Sequence, residues 1–411
     1  MSAGTMKPIP IDEARTLILD RLQQVVAVER VAISMAIGRI AAEDIVSNID
    51  LPATHNAAVD GYAVHSSCLA DTPETAFRVA GVARAGHPFS GEIRKGEAVE
   101  IYTGGVMPPG PDCVAMHEDC VRTGDHVVIA AKLKAGSNMR PPGENLQHGE
   151  IVVSAGQKIT AALIGQLAAS GHAEINVYRQ LKVVVLSTGD EIVAAGKDLA
   201  AGQISDANRP MLISMLQQSQ IDVIDGGIVP DSQEALSTAY RQALDAADVV
   251  ISSGGASDGI EDHTQPAMKA VGATCRFWRL AMKPGRPMAV GQRDEKLIFC
   301  LPGNPVAAFV CTRLLIQPAL TRLGGGAVMP FLKLSLRAGF SHRKKGGRAE
   351  YLRVVVTGDG ESQVMQLHGR KGAGVISSLT GADGLVEIPL ENEGVEIGMT
   401  LSFLPFHERG L

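Results

Sequence analysis

Six charged side chains, Glu191, Asp231, Asp258, Asp262, Lys283 and Arg286, each stand in or beside a short loop that follows an apolar run. Carboxylates mixed with lysine and arginine suit a ligand that pairs a phosphate with a divalent cation. The carboxylates offer hard oxygen donors to the metal, and the cations offer charged N–H donors to the phosphate. The apolar runs cover residues 182–186, 221–229, 248–251, 277–282 and 296–300. Their loops include Ser187-Thr188-Gly189-Asp190-Glu191, Pro230-Asp231, Ser253-Gly254-Gly255, Lys283-Pro284-Gly285-Arg286 and Pro302-Gly303-Asn304-Pro305. In any one loop, Gly and Asp need do no more than turn the chain. Five such loops on one rim shift the balance toward a site.

Helical spacing alternates with these runs, at residues 208–218 and at 232–246, where Ser232 is a good N-cap. Valine- and isoleucine-rich strands separated by helices predict a mostly parallel sheet covered on both faces. Ligands of such sheets bind outside the carboxyl ends of the strands, where the five loops gather.

The rest of the chain flanks this unit. A length of 411 residues exceeds one ordinary core, and 45% hydrophobic with 20% charged content reads as a soluble globular protein. A net charge of −6, one Trp and a single dense basic cluster at 343–348 argue against a nucleic-acid partner. The six cysteines contain no C-x-x-C pair, and most sit in or beside apolar segments, which reads as buried thiols of a reducing compartment. Cys113 and Cys120 flank His117 and Glu118, but no fourth ligand is in view for zinc. The first residues carry no signal pattern and no apolar run reaches membrane-spanning length, so the expectation is a cytoplasmic protein without a membrane partner.

In chain order, helices are expected at 11–24 and 37–45. Asp60-Gly61 follows as a turn, set among small residues that leave the carboxylate reachable. Short strands then fill the chain to Asn145, with a possible anion-binding turn at Thr103-Gly104-Gly105. A helix at 158–171 begins at Thr160. After Gly324-Gly325-Gly326, alternating strands predict a small β-barrel or sandwich, where Arg353 and the loop at 372–378 are candidate site pieces. The expected architecture is thus multidomain α/β plus β. A helical linking domain spans 1–50 with 146–180, a β-rich inserted domain 51–145, a central α/β domain 181–326 and a β-barrel domain 327–411.

Taken in order, these motifs resemble one family over almost the whole chain. Asn56-Ala57-Ala58-Val59-Asp60-Gly61-Tyr62-Ala63 resembles its N-S-A-M-D-G-Y-A element, and Thr103-Gly104-Gly105 with Pro108 its T-G-A-x-x-P segment. The loops at 187–191, 252–257, 283–287 and 301–305 follow in the family's order. The family is that of the molybdopterin molybdenumtransferases, the bacterial MoeA type, similar to the E domain of gephyrin.

The resemblance implies a homodimer of elongated four-domain subunits with a pterin-binding α/β domain. Its cleft lies between that domain of one subunit and the β-rich domain of the other. The implied reaction inserts molybdate into adenylylated molybdopterin, with Mg²⁺-dependent pyrophosphate cleavage and release of AMP. On this resemblance, Asp60, Glu191, Asp231 and Asp262 are the expected Mg²⁺ ligands. Thr103, Lys283 and Arg286 join them as catalytic residues. Ser187, Gly189, Asp190, Ser253, Gly254, Gly255, Pro302, Gly303, Asn304 and Pro305 would bind the substrate, and Arg353 with Ser377 the molybdate. A molybdopterin adenylyltransferase and recipient molybdoenzymes are the implied partners.

The chain departs from the family at four places. Asn145 stands where Asp is usual, and Pro141-Pro142 replaces part of an arginine-rich approach. Arg286 stands where Lys is common, and Asp258 adds an acid. Two other readings compete. A cofactor carrier draws on the Asn145 substitution. A molybdopterin adenylyltransferase draws on the α/β domain, but would need neither the flanking domains nor the Asp60 motif.

Overall fold

The computed structural model describes residues 8–69, 74–218, 220–254 and 263–406, and only the backbone of 276–278. Its centre is a six-stranded sheet. Four parallel strands lie in the order Ile221–Val229, Leu181–Thr188, Val249–Ser253 and Lys296–Leu301. Pro287–Arg293 runs against Lys296–Leu301, and Thr274–Arg279 closes the edge beyond it. The sheet is mostly parallel, as the apolar runs imply, with one antiparallel strand that they did not announce.

Alternation along each strand divides the core in two. Val183, Val185, Val249, Ile251, Leu297 and Phe299 share one cluster with residues of the helices Ile11–Leu19, Asn208–Leu216 and Pro305–Leu323. Val184, Leu186, Val250, Ile298 and Cys300 share the other with residues of Gln233–Ala246 and Thr264–Ala270. Both faces are therefore buried. Pro305–Leu323, 19 residues with a π-helical turn at Thr312–Ile316, has the length and composition of a membrane span. This corrects the expectation that no run is long enough. The helix is 78% buried within the protein, as suits a core helix.

Local signals hold where capping is strong. The Ser232 hydroxyl accepts from the Ala235 N–H at 3.2 Å, and Thr160 from Leu163 at 3.3 Å at the start of Ala161–Ala169. They fail at 37–45, where a helix was expected. Gly38 takes a φ of 71°. Ile40 and Ala41 then bridge to Lys158 and Val177, and Ile45–Val46 pairs with Ile151–Val153. Pairing to distant strands overrides the local periodicity. The first helix also stops early, at Leu19, and packs its buried Ile11, Ala14 and Ile18 on the α/β core.

A second six-stranded sheet holds Gly61–Val64 between Cys113–Met116 and Glu97–Ile101. Near the C-terminus, Ala349–Thr357, Val364–Leu367, Leu334–Ala338, Thr400–Pro405 and Gly384–Ile388 close on themselves as a five-stranded barrel. The two-residue strand Met282–Lys283 pairs in parallel with Ala349 and Glu350, joining the barrel to the central sheet.

A forked ion pair ties the foot of the central sheet to the segment before it. Arg179 Nη1 and Nη2 donate to Asp248 at 2.8 and 2.9 Å, and the Lys182 N–H adds a third bond at 2.9 Å. Burial opposes the Asp248 charge, but Arg179 and the Lys182 N–H outweigh it and hold the carboxyl below its ordinary 3.8. The coupling is present above that value and fades as pH falls through the lower folded-state value. Asp248→Asn is expected to cost about 1–3 kcal/mol near neutral pH, with the gap to the parent narrowing in acid. Urea unfolding across pH measures it, and parallel pH profiles would refute the assignment.

Candidate active site

The carboxyl ends of the parallel strands open into a cleft of about 570 Å³. Ser187, Glu191, Ser253, Gly254 and Pro302 through Pro305 all line it. Register explains the gathering. Ser187 pairs with Ser253, and Ser253 with Leu301, so three strands end level and their loops leave the sheet together. Gly254 has a φ of 103°, and a Cβ there would lie 2.0 Å from the Thr188 carbonyl oxygen. Only glycine permits that approach. The helix Pro305–Leu323 begins at this cleft, bringing the positive end of its dipole.

Beneath the loops lies a polar floor that sequence reading did not identify. Ser187 Oγ donates to the buried Asp206 at 2.9 Å, and Asp206 also holds Arg209 Nε at 2.8 Å. Asn208 Nδ2 donates to Ser253 Oγ at 2.7 Å and to the Gly303 carbonyl at 2.8 Å. Thr188 Oγ1 and Asn208 Oδ1 are buried here without a partner among the described residues. Orphaned polar atoms on a cleft floor are poised for ligand groups. In sequence, Asn208-Arg209-Pro210 signalled only the start of a helix.

Glu191 is exposed at the rim. Asp190 instead ties two loops together, its Oδ1 accepting from the Asp231 N–H at 3.0 Å. Gly189 crowds this turn, since a Cβ there would meet Glu191 Oε2 at 2.7 Å. Asp258, Asp262 and Gly255 lie outside the described residues. Among the described residues, no group of three acids, histidines or cysteines is gathered to hold a metal. The expected set of Asp60, Glu191, Asp231 and Asp262 is therefore not assembled as a cage within the described part of one chain.

Lys283 lines a second cavity, of about 120 Å³, between the rim and the barrel. It shares that cavity with His342, Arg353, His368, Arg370 and Lys371. Arg353 is buried, and burial pushes its guanidinium below its ordinary value. Nε donates to Ser378 Oγ at 2.9 Å, while Nη2 reaches the Arg370 and Gly372 carbonyls at 3.4 and 3.5 Å. Ser378, not Ser377, is thus the hydroxyl at Arg353; Ser377 is exposed. Within the basic cluster at 343–348, Lys344 is buried and donates to the Arg348 carbonyl at 2.9 Å. Arg286 is half-buried beside Pro287, its Nε enclosed without a partner among the described residues. The two cavities adjoin, since the Val306 N–H donates to the Ala373 carbonyl at 3.0 Å.

Asp60 stands apart, on the inserted sheet. Its Oδ1 accepts both the backbone N–H and the hydroxyl of Thr103, each at 2.7 Å. Those bonds hold its carboxyl below the ordinary 3.8, though it is fully exposed. Gly61 allows the strand to start at once, because a Cβ there would lie 1.8 Å from the Ala115 carbonyl oxygen. Thr103 also lines a cleft of about 550 Å³ with Asn56, Arg140, Glu144 and Asn145.

A loop-lined cleft at the strand ends beside a cationic pocket, on an α/β sheet flanked by two β-domains, is the layout of a ligand-binding α/β protein. The sequence matches the MoeA N-terminal region (domain I and II) over 9–171, a probable molybdopterin binding domain over 184–322, and the MoeA C-terminal region (domain IV) over 335–406. It is 36% identical over 403 residues to the molybdopterin molybdenumtransferase of Haemophilus influenzae, covering 97% of this chain and 99% of that one. The Staphylococcus aureus (strain MRSA252) protein of the same name is 30% identical, covering 97% and 95%. The MoeA crystal structure from Pyrococcus horikoshii superposes with a TM-score of 0.82 at 30% identity, covering 97% and 99%. The chain belongs to the molybdopterin molybdenumtransferase family, and it is a transferase.

The Asp60–Thr103 pair gives a direct test. Thr103→Val keeps the backbone N–H but removes the hydroxyl, so the Asp60 pKa is expected to rise toward its ordinary value. Carboxyl NMR titration reads this, and an unmoved pKa would show that the hydroxyl contributes nothing.

Proposed function

We propose that this transferase inserts molybdate into the dithiolene of adenylylated molybdopterin and releases AMP as the pyrophosphate is cleaved. The observation that carries the reading is Arg353. A buried guanidinium held only by a hydroxyl and carbonyls keeps its charge uncompensated; among the described residues it forms no ion pair. Such a group calls for an anion. The cavity beside it falls below the roughly 300–1,000 Å³ of organic ligand pockets, which suits a tetrahedral oxyanion. The adjoining 570 Å³ cleft has the size for the pterin nucleotide.

The chain's own groups divide the work. The floor of Asp206 and Asn208 fixes the loops, and the orphaned Thr188 and Asn208 oxygens meet donors on the pterin. Lys283 and Arg286 offset charge that develops on the cleaved phosphate. The donor set fits Mg²⁺, which would need only one or two carboxylates beside substrate phosphates rather than a protein cage. Glu191, Asp231 and Asp262 would hold it, with Asp60 delivered by a second copy of the chain. The ion would neutralise the pyrophosphate. The Thr103 bonds that lower the Asp60 carboxyl favour its ionised form, the form a metal ligand needs.

No protein thiol is needed, because the dithiolene sulfurs belong to the substrate. The expectation of buried thiols holds only for Cys113, Cys300 and Cys311, with Cys68 and Cys120 half-buried and Cys275 exposed; burial pushes Cys113 and Cys311 up to about 12. We place the protein in the cytoplasm as a homodimer that receives substrate from an adenylyltransferase and serves molybdoenzymes.

AMP release from adenylylated molybdopterin, followed by chromatography, tests the reading. Release is expected only with both molybdate and Mg²⁺, and Asp60→Ala or Glu191→Ala should lower it by roughly 100-fold or more. Tight pterin binding without AMP release would replace the enzyme reading with the carrier.

A further inference from the structure

Lys283 has a 59% exposed side chain, yet its ammonium is tethered. Its Cα stands opposite Glu350 in the short parallel pairing that joins the rim to the barrel. Glu350 Oε1 accepts from Lys283 Nζ at 3.2 Å, and Oε2 meets His342 Nε2 at 2.8 Å. Glu350 and His342 are both buried. Burial works against the Glu350 charge, but His342 and Lys283 hold its carboxyl below the ordinary value. Lys283, His342 and Arg353 line one cavity.

A carboxylate in this place is electrostatically adverse to an anion site. At bare Coulomb level it repels the ligand and neutralises the very lysine that should attract it. What it offers in exchange is order. A lysine side chain loses about 2 kcal/mol of rotamer freedom when fixed, and a lysine already held in place loses less on binding. We infer that Glu350, braced by His342, is a positioning residue that presents the Lys283 ammonium to the oxyanion cavity. The inference rests on that cavity being the molybdate site proposed above.

The two physical effects predict opposite signs. If charge alone mattered, Glu350→Gln would tighten anion binding. If positioning matters, it loosens binding. Calorimetric titration of sodium molybdate into the full chain decides, with thermal melts to monitor folding. Glu350→Gln is expected to weaken molybdate by roughly tenfold, and Glu350→Asp to recover most of that loss. In a Lys283→Met background, Glu350→Gln should add nothing further. Tighter or unchanged binding in Glu350→Gln overturns the inference, as does a full additional loss in the Lys283→Met background. A lowered melting temperature with unchanged affinity would make Glu350 a structural tie only. Should Glu350→Gln fail to fold, His342→Asn carries the test, with weaker binding expected and unchanged binding overturning the brace. Lys283→Met and Arg353→Ala separate the two levels. If neither weakens molybdate, the cavity assignment itself fails. If both do while Glu350→Gln does not, only the positioning role falls.

Discussion

Burial of the central sheet on both faces is the constraint from which the site follows. Strands such as Leu181–Thr188 have no solvent face on which to carry chemistry. Polar groups are admitted only where the strands end, and register brings Ser187, Ser253 and Leu301 to the same level. The loops then leave the sheet together, and the close pass of Gly254 beneath Thr188, open only to glycine, fixes how tightly they pack. Catalytic variety in such a fold lives in loops because the strands are fully occupied by packing.

The barrel is attached at that same rim rather than at the base of the sheet. Met282–Lys283 pairs with Ala349 and Glu350, and the Ala373 carbonyl takes the N–H of Val306. The junction therefore creates a second, cationic cavity against the first. Its walls come from Lys283-Pro284 at the rim and from barrel residues between His342 and Ala373, so relative movement of barrel and sheet would change the cavity before it changed either core.

This explains what could be read in advance. The apolar runs, the Ser232 and Thr160 caps, and the glycine-rich loops are local signals, and they located the α/β core, several helices and the cleft-lining loops. The segment at 37–45 has helical spacing, but its partners Lys158 and Val177 lie over 100 residues away. Likewise Asp206 and Asn208 acquire meaning only through Ser187, Ser253 and Gly303, contacts that no spacing announces. Ser377 and Ser378 cannot be told apart by type. The short turn Ile376–Ser378 aims the second inward and leaves the first exposed.

Arg353 and Lys283 are held in two different ways. Arg353 is surrounded by neutral oxygens, so its charge stays available, at the cost of burial that already depresses its guanidinium. Five donors in a rigid plane let it donate to Ser378 and two carbonyls while retaining N–H groups for a ligand. Lysine has no such plane, and its flexible stem would leave the ammonium in water. Where a lysine is to be held at a fixed point, a second group has to fix it, and Lys283 Nζ donates to the Glu350 carboxylate at 3.2 Å. The geometry of the arginine makes an acid unnecessary at one wall, and the flexibility of the lysine makes it useful at the other.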